Sequence, residues 1–100
     1  MASVVLAEQG DCLRALGQLD DAAAAYEEAI KRSEKLDDIR QVAVSKGNLA
    51  WVRLDQKRYD DALQGYREVL ALFSQLDEPG SVATIWHQIG MVHKLSLIHI

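Results

Sequence analysis

The sequence predicts an all-α protein, an α-solenoid of five helices arranged as antiparallel hairpins. Three observations carry that expectation. First, the chain echoes itself at a spacing of 40 residues: Leu19-Asp20-Asp21-Ala22, followed by Tyr26 and Glu28, returns as Tyr59-Asp60-Asp61-Ala62, followed by Tyr66 and Glu68. Leu36-Asp37 returns as Leu76-Asp77, Val42-Ala43 as Val82-Ala83, and Val52 as Val92. A period of roughly 20–50 residues marks stacked supersecondary units, none of which buries its apolar face alone. Second, apolar residues recur at steps of three and four, and strand-like alternation is nowhere sustained. Third, the 100 residues include one proline and six glycines, which leaves long stretches free for helix.

Polar turns divide the chain into five segments. Helices are expected over about 2–17, 20–36, 39–55, 60–76 and 80–97. Gly17-Gln18-Leu19-Asp20 separates the first two, Asp37-Asp38 the next, then Asp55-Gln56-Lys57-Arg58 and Asp77-Glu78-Pro79-Gly80. Asp20, Asp37, Asp60 and Asp77 stand where N-caps are expected, because a short carboxylate accepts from the free N–H groups of a first turn. Pro79 suits a helix start, where its missing N–H has no helical partner. Ala22, Tyr26, Ala29, Ile30 and Ser33 share one face, and Ala62, Tyr66, Val69, Leu70 and Phe73 share the equivalent one. Val42, Ser45, Leu49 and Val52, then Ile85, Ile89 and Val92, mark the alternating helices. Such short connections force consecutive helices antiparallel. Gly10, Ala50 and Gly90 fall at matching positions, as do Ala22 and Ala62, where helices are expected to approach closely.

Composition removes several function classes. The chain is 49% hydrophobic and 26% charged, ordinary for a folded soluble protein. A net charge of −4 offers no basic stripe, so neither nucleic acid nor an anionic membrane is an expected partner. The single cysteine, Cys12, has no internal partner for a disulfide, which fits a reducing compartment. The first residues lack a basic signal-peptide region, and no apolar run is long enough to span a bilayer, so a cytoplasmic location is expected.

The recurring small and aromatic positions resemble the tetratricopeptide repeat. Repeat one presents Gly10, Ala22, Tyr26 and Ala29; repeat two presents Ala50, Ala62, Tyr66 and Val69; a third opens with Trp86, Ile89 and Gly90. The chain is thus expected to form one domain over 1–100, with repeat one at about 3–38, repeat two at about 43–78, half a repeat at about 83–95 and an atypical tail over 96–100. The 40-residue period exceeds the usual ~34 and is similar to the longer variant found in kinesin light chains, cell-polarity adaptors and many bacterial regulators. The resemblance implies a bacterial fragment of a longer array. Two departures stand out. Arg53 occupies a position that is usually apolar in the family, and after Lys94 the pattern fails, with Leu95 to Ile100 reading as foreign to the repeat.

No residue set suggests an enzyme, a cofactor or a metal. His87 and His93 are six apart, the wrong spacing for a helical metal pair. Cys12 reads as a small buried hydrophobe. The Asp pairs recur at helix starts, where capping explains them.

The resemblance implies instead a non-enzymatic scaffold that binds a protein or peptide in the concave groove of its first helices. The inward positions would be Val4, Ala7, Glu8, Asp11 and Arg14; Val44, Gly47, Asn48, Trp51 and Leu54; and Thr84, His87, Gln88, Met91 and Lys94. Asn48 matches an asparagine that holds ligand backbone in long-period members, with Gln88 its weaker counterpart. An exposed Trp51 would be an anchor, the alternative being that it packs on Trp86 or Val44. Arg14 and Lys94 offer positive charge to acidic groups of a ligand. A second expectation is a homodimer, with or without helix exchange, through a last helix whose Ile85, Trp86, Ile89, Val92, Leu95, Leu97, Ile98 and Ile100 nothing later in the sequence would cover.

Overall fold

A computed structural model of the chain describes the backbone of residues 2–98 and the side chains of residues 9–97. Five helices follow one another: α1 (Ala2–Ala15), α2 (Leu19–Lys35), α3 (Ile39–Asp55), α4 (Tyr59–Gln75) and α5 (Pro79–Ile98). Among the described residues there is no strand.

The four connections are built alike. Gly17, Asp37, Lys57 and Asp77 each take left-handed backbone, with φ of 79°, 54°, 62° and 57°. At each, two N–H groups fold back on the preceding helix. Gly17 donates to the Arg14 carbonyl at 3.0 Å and Gln18 to Leu13 at 2.9 Å; Lys57 donates to Leu54 at 2.9 Å and Arg58 to Arg53 at 2.8 Å. Asp37, Asp38, Asp77 and Glu78 repeat the pattern. This pair of bonds satisfies carbonyls that a helix end leaves open.

The motif corrects the capping expectation. Each helix ends two residues before the left-handed one and the next begins two residues after it, so the caps fall on Gln18, Asp38 and Arg58. Of these only Asp38 caps with its side chain, accepting from the Gln41 N–H at 3.1 Å. Asp37 and Asp77 terminate helices instead of starting them. Asp20 and Asp60 lie inside the first turns of α2 and α4, where their charge meets the positive helix end.

Consecutive helices pack on one another throughout, and α1 also touches α3. One core lies between α1, α2 and α3, around Ala22, Ala23, Tyr26 and Val52. The other lies between α3, α4 and α5, around Ala50, Leu54, Ala62, Tyr66, Val69, Phe73, Ile85, Ile89 and Val92. Central α3 feeds both, Val52 and Leu49 one way, Ala50 and Leu54 the other. Close approach depends on small residues. A Cβ on Gly10 would lie 2.7 Å from the Tyr26 ring, and one on Gly65 would lie 3.0 Å from Ala50. Gly90 differs: nothing stands within 4 Å of a Cβ built there.

Arg53 is explained by its partners. Its guanidinium pairs with Glu27 at 2.8 Å, and the neighbouring Gln56 amide donates to Asp20 at 2.7 Å, fastening the end of α3 to α2. Lys46 to Glu68 does the same between α3 and α4 at 3.3 Å.

Three expectations about α1 and α5 change. Cys12 is exposed, because α1 packs on α2 and α3 and leaves that position outside. α5 remains helical through the stretch from Leu95 to Ile98, where the echo would have placed a turn. The predicted open patch on α5 divides in two. Ile85, Ile89 and Val92 are buried, and Leu95 packs against the same core, because their spacing of four, three and three turns them toward α4. The uncovered stripe is Trp86, Gly90, His93 and Leu97, with Trp86 58% and Leu97 73% exposed. The side chains of Ile98 and Ile100 lie outside the described residues.

Candidate functional site

The alternation of helices puts α1, α3 and α5 along one side with α4 beneath. A cleft of about 300 Å³ opens there, with Arg14 from α1, Val44, Gly47, Asn48 and Trp51 from α3, and Thr84 and Gln88 from α5. Its floor comes from Ala43 and Ile85 and from Tyr66, Val69 and Phe73 of α4. Val44, Gly47, Asn48 and Trp51 stand on one face because they step by three, one and three, and Thr84 and Gln88 by four.

The walls are amphipathic. Asn48 is half-buried and its amide makes no hydrogen bond among the described residues. Trp51 is half-buried, and the Arg14 guanidinium sits over its ring at 5.8 Å, within cation–π range. Trp51 is therefore part of the cleft wall and not closed core. The buried Tyr66 hydroxyl and the Gln88 Oε1 have no hydrogen-bond partner among the described residues. Burial, first of all, pushes the Tyr66 hydroxyl up to about 12; Asp55 adds to that and Arg14 opposes it. No Asp or Glu lines the cleft.

Of the residues expected on the inner face, Arg14, Asn48, Trp51 and Gln88 come together here. Asp11 does not join them: it accepts a hydrogen bond from the Tyr26 hydroxyl, which burial and then that carboxylate push far above its ordinary value. His87, Met91 and Lys94 gather with Gly90 around a separate shallow depression on α5. Leu54 is buried in the core because it points toward α4. Val4, Ala7 and Glu8 lie outside the described side chains.

The α4 floor was missed in the sequence, although one signal was present. In the echo Asp11 corresponds to Trp51, so the tyrosine of the second repeat loses the acceptor that the first one has. Among the described residues no group of three His, Cys, Asp or Glu side chains is placed to hold a metal, and no helix is long and apolar enough to cross a membrane.

No curated protein matches the chain. A family model for the tetratricopeptide repeat matches residues 2–75. With that match over most of the chain, and paired antiparallel helices repeating in the same register, the chain belongs to the tetratricopeptide repeat family.

Proposed function

We propose that the protein is a non-catalytic scaffold whose cleft between α1, α3 and α5 receives an extended peptide segment of a partner protein. Tetratricopeptide repeats mediate protein–protein interaction. The observation that carries the reading for this chain is the uncommitted Asn48 amide on a half-buried wall beside Trp51. An amide supplies both a donor and an acceptor, which is what a backbone C=O and N–H require. Trp51 supplies apolar area at low conformational cost, and Gly47 leaves the backbone of α3 open to the ligand. Selection of a random peptide library on the immobilised chain tests the reading. Asn48→Ala is expected to abolish binding of the selected peptides without lowering the melting temperature. Gly47→Leu, whose Cβ fits 4.0 Å from Val69, should block the cleft. Binding that survives both changes refutes the groove.

A second reading is self-association through α5. Trp86 and Leu97 are both exposed on one stripe, with Gly90 between them open to close approach. A second copy related by a two-fold axis would lay the same stripe on itself. Light scattering should then give a dimer at micromolar concentration that Trp86→Glu converts to monomer. A monomer for the unaltered chain rules it out.

A further inference from the structure

The cleft has a charge signature that the groove reading by itself leaves unused. The chain carries 15 acidic and 11 basic residues, yet the cleft lining contains no carboxylate and a single permanent charge, Arg14. Of the six arginines, Arg32, Arg40, Arg53 and Arg58 each pair with an Asp or Glu, and the exposed Arg67 pairs with none among the described residues. Arg14 pairs with none among the described residues and rests on the face of Trp51. The contact with Trp51 uses none of the guanidinium N–H groups, and those donors match the two oxygens of a carboxylate. The Tyr66 side chain lines the same cleft; its hydroxyl is buried and has no acceptor among the described residues, and it feels the charge of Asp55 and, to a lesser extent, that of Arg14. The equivalent hydroxyl, on Tyr26, is satisfied by a carboxylate, that of Asp11. The second repeat thus keeps the donor without a carboxylate in hydrogen-bond contact with it among the described residues.

We propose that the cleft selects peptide segments bearing an Asp or Glu side chain, whose carboxylate docks on Arg14 beside Trp51 and accepts a second hydrogen bond from the Tyr66 hydroxyl. The inference rests on the groove reading above and names what that groove prefers. Gln88 Oε1 then accepts from a ligand N–H, and Asn48 holds the backbone next to the acidic residue. The Tyr66 oxygen and Gln88 Oε1 are both closed off from the surface in the free chain, so docking involves a shift of the side chains over them. One arginine balances one negative charge, which favours a carboxylate over a phosphate, a group that proteins usually meet with several arginines. A Lys or Arg of the ligand at this point would meet the like charge of Arg14 and be disfavoured.

The test uses the whole chain and synthetic peptides from the selection described above, made with amidated C-termini so that side chains hold their only carboxylates. Fluorescence anisotropy gives the affinities. The expected result is that selected peptides share an Asp or Glu, and that replacing it by Asn or Gln weakens binding about tenfold or more. Arg14→Gln should produce the same loss with the acidic peptide and little further loss with its amide counterpart. Arg14→Lys should retain part of the affinity. Tyr66→Phe should weaken the acidic peptide selectively, at an unchanged or raised melting temperature, which separates it from a folding defect. Peptides that require Asn48 yet bind equally well without their carboxylate, or without Arg14, overturn this inference and leave the groove standing. So does binding that depends on a free C-terminus. Failure to select any peptide, or binding indifferent to both Asn48→Ala and Gly47→Leu, removes the groove and this inference with it.

Discussion

Tyr26 and Tyr66 hold the same place in successive repeats, one fully buried and the other 1% exposed, yet among the described residues only the Tyr26 hydroxyl has an acceptor. A hydrogen bond to a charged group contributes roughly 1.5–3 kcal/mol, whereas a buried polar group without a partner costs about 1–3 kcal/mol. The same substitution should therefore act with opposite signs. Tyr26→Phe is expected to lower stability by about 1–2 kcal/mol, and Tyr66→Phe to leave it unchanged or raise it by about 1 kcal/mol. Urea denaturation of the two variants decides the matter; equal losses in both would show that the Tyr66 hydroxyl is satisfied in solution.

The Tyr66 hydroxyl also sets a response to alkali. In the unfolded chain a tyrosine titrates near 10, and in the fold burial holds this one at about 12, with Asp55 adding and Arg14 opposing. The folded state then keeps a proton that the unfolded state has released. Stability contributed by the group is complete below about pH 10 and falls as pH rises from there through about 12, by up to about 1.4 kcal/mol per pH unit. Tyr26 is displaced in the same direction. Tyr66→Phe should flatten the loss of stability between pH 10 and 11.5, measured as the urea midpoint. An unchanged slope would mean that the hydroxyl titrates near its ordinary value.

The helices were legible because a repeat states its own register. The pairs at Ala22 and Ala62, and at Tyr26 and Tyr66, fix two units on one pattern, and every helix boundary then falls within two residues of expectation. Arg14, Asn48, Trp51 and Gln88 were found together for the same reason, since each occupies an inward position of a first helix. What depended on tertiary neighbours was not legible. Ile85, Ile89 and Val92 look like an open apolar patch until α4 is seen to cover them, and Arg53 looks misplaced until Glu27 stands opposite. The Asp residues near the turns misled because carboxylates suit both the start of a helix and the left-handed residue that ends one.

Helix endings provide another test. Gly17, Asp37, Lys57 and Asp77 stand 20 residues apart and all take positive φ. Glycine does so freely, aspartate with little strain, while a lysine pays about 1 kcal/mol for its Cβ. Lys57→Gly should raise stability by up to about 1 kcal/mol, somewhat offset by the added freedom of the unfolded chain. Gly17→Ala should lower it by about the same amount. Thermal melts of the pair suffice; a loss in Lys57→Gly would show that its left-handed conformation is not strained.

The two glycines of the echo make the last contrast. Alanine gains about 1 kcal/mol over glycine inside a helix if space permits. At Gly10 space does not permit: the new methyl would lie 2.7 Å from the ring of Tyr26, a buried side chain already committed to Asp11. Moving that ring disturbs the α1–α2 core, so Gly10→Ala should cost about 1–3 kcal/mol, as overpacking does. At Gly90 nothing stands within 4 Å, so Gly90→Ala should gain close to the full propensity difference. The second measurement carries more information than its size suggests. If α5 packs its Trp86–Leu97 stripe on another copy, the methyl falls inside that contact, and the gain seen at low protein concentration should shrink or reverse at high concentration. A gain that is constant from 1 to 100 times a starting concentration of about 1 µM, the range over which mass action would shift a dimer, means that no partner copy closes on Gly90.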